Sequence, residues 1–337
     1  MHLLDGTQAM IPAETFGPGL FRLVLAGFVM VSHVSALNVG EPAVFVFFML
    51  SGYWVSLMYL HKYAQHPHPL RVFYLSRFLR VWPPFAVAVV LSIVTTGVVT
   101  GTAPTQFLAG LPLFGVASTG LDALNVSWAL DIELQFYLLL PFALVMISGW
   151  SIGTLFILSV LGAVVGWWLF LTIGLKTVLC YLPMFAVGMA VAMGDIKFSK
   201  HTVALSTLLF IFVIAVFFIN DTLRAFFIKT RPSPFNEEWM TMALMLLLLP
   251  FVAWNVRQKS GWLDAHFGNL SYTVYLLHYP VIATVSTLMG GGLTRSEKLI
   301  LPLAVAVVSV FFYIIIDRPS EAFRRRVMKK QFGKVPA

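Results

Sequence analysis

The stretch Phe21-Arg22-Leu23-Val24-Leu25-Ala26-Gly27-Phe28-Val29-Met30-Val31-Ser32-His33 is apolar apart from an arginine near its start and a serine and histidine at its end. At 100° per residue, the eleven steps from Arg22 to His33 turn a helix through three turns and about 20°. Both side chains therefore share one face, about 16.5 Å apart along the axis. An ionisable pair inside lipid is costly and marks a functional site. The plainer alternative is a snorkelling arginine and a histidine satisfied within a helical bundle.

The surrounding composition places this stretch in a membrane. Of 337 residues, 59 % are hydrophobic and 11 % charged, with mean hydropathy +0.88, whereas charged residues make up about a quarter of a soluble domain. The first twenty residues hold Asp5, Pro12, Glu14 and Pro18 and no Lys or Arg. They lack the basic start of a secretory signal, so a retained N-terminus is expected. Cys180 is the sole cysteine, which rules out an intrachain disulfide and leaves a packing thiol.

A span needs about 20 mainly apolar residues. Ten stretches qualify: 20–38, 42–60, 83–101, 128–147, 151–172, 176–194, 202–220, 238–254, 267–290 and 298–316. The expectation is an all-α, polytopic membrane helical bundle of about ten transmembrane helices, because only helices and closed barrels satisfy the backbone in lipid. It forms a single integral-membrane domain over 1–337, spanning roughly 20–316, with no appended soluble domain. The net charge of +8 could point to nucleic acid, but the basic residues fall in short loops, so no nucleic-acid partner is expected. Threading ten spans from a cytoplasmic N-terminus puts fifteen Lys and Arg on the inner side and six on the outer. That bias supports both termini in the cytoplasm. Two outer loops, 102–127 with its apolar piece Phe107 to Val116, and 221–237 with both signs of charge, are placed to cover a site.

Depth then sorts the polar residues. His33 lies five residues before the outer end of the first span and Glu133 five after the outer start of the fourth, each about 7.5 Å below one surface. There a carboxylate can orient an imidazole acting as general base; the alternative pairs Glu133 only with Trp128 or Tyr137. Arg22 falls at the inner boundary, level with Arg77 and Arg80. These two are three residues apart and share one face if helical, a geometry suited to phosphate as well as to anchoring on anionic lipid. Cations at the inner face and a base some 16 Å higher fit a long ligand with a phosphorylated head and a reactive tip, the form of a coenzyme A thioester.

The same residues carry a family pattern. Arg22 to His33 has the Arg-x10-His signature, Phe47-Phe48-Met49-Leu50-Ser51-Gly52 resembles a Phe-Phe-x-x-Ser-Gly element, and Arg77 to Pro83 an Arg-x-x-Arg followed by proline. Trp128 to Tyr137 is similar to a Trp-Ser-Leu-x-x-Glu-x-x-Phe-Tyr element, with Ala129 at the usual serine. Leu270-Ser271-Tyr272 to His278-Tyr279-Pro280 resembles a late block, and Asp317-Arg318-Pro319 a closing Glu-Arg-Pro. In order over residues 21–319, these elements resemble the acyltransferase family 3 membrane proteins. The resemblance implies transfer of an acyl group, often acetyl from acetyl-CoA, to a hydroxyl of a sugar or lipid-linked glycan in a bacterial inner membrane. It carries functional roles to Arg22, His33, Arg77, Arg80 and Glu133.

The expected site therefore has His33 and Glu133 as catalytic residues and Arg22, Arg77 and Arg80 on the acyl-CoA phosphates. Tyr137, Ser51 and His278 complete it as substrate-binding positions. Ser51-Gly52 equally fits close helix packing, and His278 a satisfied bundle histidine. No metal is expected, since His61, His66 and His68 lack carboxylate or cysteine companions. Direct transfer and a covalent acyl-histidine relay both remain open. The rival class is a transporter or flippase for a glycan or small molecule, although paired broken helices, the usual pointer to one, are not evident.

Overall fold

Apolar periodicity without strand-length alternation leaves the backbone one way to satisfy itself, and the computed structural model is built of helices. It describes residues 17–333 apart from 148 and 292; the expectation for the N-terminal residues 1–16, and Lys334, lie outside the described residues. In chain order the helices are α1 (Pro18–Val34), α2 (Gly40–Met58), α3 (Pro69–Thr100), α4 (Val116–Thr119), α5 (Ser127–Met146), α6 (Ile152–Ile173), α7 (Leu182–Met193), α8 (Lys200–Ile219), α9 (Asp221–Arg224), α10 (Glu237–Leu247), α11 (Leu249–Asn255), α12 (Trp262–Leu288), α13 (Arg295–Phe312) and α14 (Arg318–Phe332).

Each of the ten apolar stretches falls on a helix, but the count of ten membrane spans is not reached. Among the described residues six helices are long and apolar enough to cross a membrane, or seven if α10 and α11, bent by 55° at their junction, make one broken span. The shortfall has physical causes. The helix at Pro18–Val34 and the one at Val178–Met193 are short, and α12 is diluted by Asp264, His266, Asn269 and His278.

Two helices run further than the sequence indicates. α3 begins at Pro69, a proline at the first turn where its missing N–H costs nothing. It continues for 32 residues, so Arg71, Arg77 and Arg80 stand on a helix and not in a loop. A π-helical turn, Tyr313–Asp317, joins α13 to α14, and the basic tail is thereby helical. The apolar piece from Phe107 folds back on α3, where Trp82 Nε1 donates to the Leu111 carbonyl at 2.8 Å.

The core gathers where α2, α5 and α7 meet. Phe48 stacks on Phe185 with ring centroids 4.7 Å apart, and Phe136 on the other side of Phe185 at 4.2 Å. α2 and α7 can approach because of Gly52 and Gly188: a Cβ on Gly52 would lie 2.2 Å from the Phe185 carbonyl oxygen, and one on Gly188 2.1 Å from that of Met49. At the other extreme, α8 exposes Leu205, Leu208, Ile211, Phe212 and Ile219, the surface expected of a helix bathed in lipid. Cys180 is buried and free.

Candidate functional site

α1 carries Arg22 and His33, and residues distant in the chain hold it at both ends. Its N-cap, Gly17, has no side chain to receive the first amides. Asp264 of α12 does so, accepting from Gly19 N at 2.8–3.0 Å together with Leu20 N and from Ser260 Oγ at 2.7 Å. A negative charge at a helix N-terminus also meets the positive end of its dipole. At the far end, Lys229 Nζ donates to the Ser32 carbonyl, one of the carbonyls a helix terminus leaves unmatched. An antiparallel bridge between Leu37 and Ile228 delivers this lysine, flanked by Asn38 N to Phe227 O and Lys229 N to Ala36 O, both 2.9 Å. Burial lowers the Lys229 ammonium below its usual range.

Beside the N-terminal half of α1 lies a cavity of about 770 Å³ whose walls include Arg22, Ser51, Arg77, Arg80, Glu133 and Tyr137. Six of the eight residues singled out from the sequence thus converge on one space. Arg77 and Arg80, three apart on α3, face it together. Arg80 donates to Asp317 at 2.8 Å and lies over the Tyr272 ring at 5.3 Å. Arg77 donates to Tyr63 Oη at 3.3 Å and leaves its Nε without a partner. Arg22 makes no hydrogen bond or ion pair among the described residues, while Arg80 and Glu133 both act on it through space.

Glu133 accepts hydrogen bonds from Ser51 Oγ and Tyr137 Oη, each at 2.5 Å. This corrects the expected His33–Glu133 pair: among the described residues no hydrogen bond or ion pair joins them. α1 stops at Val34, so His33 sits one residue from its end. Glu133 lies six residues into α5, about 9 Å below its start. Ser51 and Tyr137 then hold the carboxylate at the cavity with the arginines.

The ring neighbours of His33 come from α12. His278 lies at 5.1 Å and Tyr279 at 5.2 Å between ring centroids. Tyr275, one turn before Tyr279, lines the arginine cavity and meets Phe47 at 6.1 Å. Tyr279 lines a second cavity of about 600 Å³ on the other side, with Phe107, Asp122, Asn125, Trp128 and Lys176. His33 and His278 therefore occupy the level between two cavities.

The second cavity has its own electrostatics. Lys176 Nζ sits over the Trp128 ring at 4.6 Å, with Phe170, Tyr181 and Trp167 between 5.5 and 5.9 Å, a cation–π enclosure. Burial lowers its ammonium from the usual lysine value, opposed by Glu41. Burial likewise raises Asp122 above the usual carboxylate range, opposed by hydrogen bonds including those from the Leu124 and Trp128 amides. Among the described residues no three His, Cys, Asp or Glu cluster closely enough to hold a metal ion. His66 meets the Phe332 carbonyl at 3.2 Å.

Asp264, Lys229 and Asp317 carry no role in the sequence reading. Asp317 sits within a quoted motif and Lys229 in the mixed-charge outer loop, but their partners are far off in the chain. Compared with known families, residues 12–317 match the model described as an acyltransferase domain of the third acyltransferase family. No curated protein and no solved structure matches the chain.

Proposed function

Because the chain belongs to the acyltransferase 3 family, and is thus a membrane acyltransferase, we propose that it moves an acyl group from acyl-CoA, acetyl-CoA in the simplest case, to a hydroxyl of a carbohydrate or lipid-linked glycan. The proposed setting is a bacterial inner membrane, with lipid around the bundle and both termini in the cytoplasm. One observation carries this reading: His33 packs against Tyr279, which lines one cavity, at the far end of the helix whose Arg22 lines another together with Arg77 and Arg80.

On this reading the anionic nucleotide end of the donor rests among the arginines, whose planar guanidinium groups suit phosphate. Its thin arm rises past Glu133 and Ser51 towards Tyr275, and the acceptor enters from the Tyr279 side. His33 takes the proton of the acceptor hydroxyl as its oxygen attacks the thioester carbonyl. The C–S bond breaks, the new C–O ester bond remains, and the departing thiolate recovers the proton from the imidazolium. Glu133, facing Arg22 through space, acts on the donor side and not on the imidazole. Tyr137 and Ser51 serve that carboxylate.

Purified protein in proteoliposomes, given acetyl-CoA and candidate glycans, is expected to release free CoA in step with ester formation. His33→Ala is expected to abolish both while its thermal transition stays in place. A transporter would move glycan without consuming thioester. The bent pair α10 and α11 is the one feature favouring transport, and it has no counterpart among the described residues. Glycan uptake with intact acetyl-CoA, or full activity in His33→Ala, would overturn the proposal.

A further inference from the structure

We propose that His278 is the positioning residue of His33, accepting a hydrogen bond from the His33 ring on its own Nε2. This rests on the reading of His33 as the base, and concerns which group orients it now that Glu133 does not.

The tautomer of His278 follows from its surroundings. Its Nδ1 lies 3.1 Å from the Val274 carbonyl oxygen. A carbonyl can only accept, so Nδ1 carries the proton. In a neutral imidazole the other nitrogen is then an acceptor with a free lone pair. That atom, Nε2, is buried and has no hydrogen-bond partner among the described residues, in a residue with no exposed surface. Buried polar atoms are nearly always matched, and an exception in a native site calls for an explanation.

The neighbours identify the missing donor. The rings against His278 are those of His33 at 5.1 Å and Tyr275 at 6.2 Å. Tyr275 has spent its proton, donating to the Val126 carbonyl at 2.9 Å. Of the two, His33 alone has an N–H to give. Giving it to Nε2 leaves the other ring nitrogen unprotonated, the form a base requires. Hydrogen bonds of this kind are often long in the empty enzyme and close in the substrate complex, and a tilt of the His33 ring brings the two edges together.

The chemistry favours a neutral partner at this depth. When His33 takes the acceptor's proton it becomes an imidazolium with two N–H groups. One faces the reacting oxygen and later protonates the thiolate; the other stays on His278. An uncharged acceptor stabilises that cation without placing a second charge in the membrane, where ionised groups are costly. Lys229, held on the Ser32 carbonyl, is the charged group next to His33, and a neutral His278 adds no further cation beside it.

Two substitutions separate positioning from packing. His278→Phe fills the space and removes the acceptor; His278→Gln keeps an acceptor oxygen. Positioning predicts that kcat falls about 100-fold in His278→Phe, with donor KM unchanged, and that His278→Gln recovers at least about tenfold of this. Thermal transitions in detergent establish folding, and His278→Leu or His278→Asn replaces whichever variant does not fold. Equal activity in the apolar and amide variants would overturn the proposal while leaving the acyltransferase reading intact. Activity surviving in His33→Ala would overturn that reading itself, and with it this one.

Discussion

Arg80 and Asp317, 237 residues apart in the chain, form a 2.8 Å ion pair at the wall of the arginine cavity. The pair ties the middle of α3 to the turn that joins α13 to α14. Of the three arginines expected to hold the donor, Arg80 is thus ion-paired while Arg22 makes no hydrogen bond or ion pair among the described residues; Arg318, Arg324 and Arg325 line the same cavity, and Arg324 is bridged to Glu321.

Removing the carboxylate leaves Arg80 unbalanced. Asp317→Asn is expected to destabilise the protein by about 2 kcal/mol, below the cost for a fully buried pair because the arginine side chain remains 22 % exposed. Arg80→Met combined with Asp317→Leu should cost less than the two single changes together. Thermal unfolding of the four proteins in detergent gives the coupling, and a coupling near zero would show that the pair contributes nothing.

Glu133→Gln tests the reassigned carboxylate. The amide oxygen can still accept from Ser51 and Tyr137, but the charge facing Arg22 is gone. The donor KM is expected to fall about threefold, since the cavity becomes more positive towards an anion, and kcat to drop less than tenfold. If Glu133 oriented the base instead, kcat would fall by about 10⁴. Initial rates at varied acetyl-CoA distinguish the two.

Asp264→Ala should loosen the start of α1. Losing the cap that serves Gly19 and Leu20 costs about 1 kcal/mol, and Asp264→Asn, which keeps an acceptor oxygen, costs less. Hydrogen exchange is the sharper readout: faster exchange is expected in the first turns of α1, around Phe21 and Arg22, with α5 unaffected. Unchanged protection there would refute the capping role.

Much of this was legible from residue order alone. Every apolar stretch became a helix, and Arg77 and Arg80 share a face because three-residue spacing on a helix leaves no other choice. Arg22, Ser51 and Tyr137 reach the same cavity as those two. The Tyr137 to Glu133 hydrogen bond, the alternative partner read for that carboxylate, was legible too, since residues four apart on a helix are neighbours.

What stayed hidden depends on contacts remote in sequence. The end of α1 is set by the strap through Leu37 and Ile228, so a histidine read as lying well inside a span sits at its rim. The rotation of α5 turns Glu133 towards Ser51, and hydropathy carries no information on rotation. Six or seven described helices, and not ten, pass as spans on length and composition, because the apolar runs in α1 and α7 are short and α12 is diluted by polar residues.

The trans-capping of α1 gives it the character of a gauge. Clamped by an acid at one end and an ammonium at the other, this helix cannot slide, and the backbone rise from Arg22 to His33 stays fixed at about 16.5 Å. For a thioester bound as proposed, reach is then a constant of the backbone: a donor whose arm is shortened or extended by even one methylene brings its carbonyl to the wrong height.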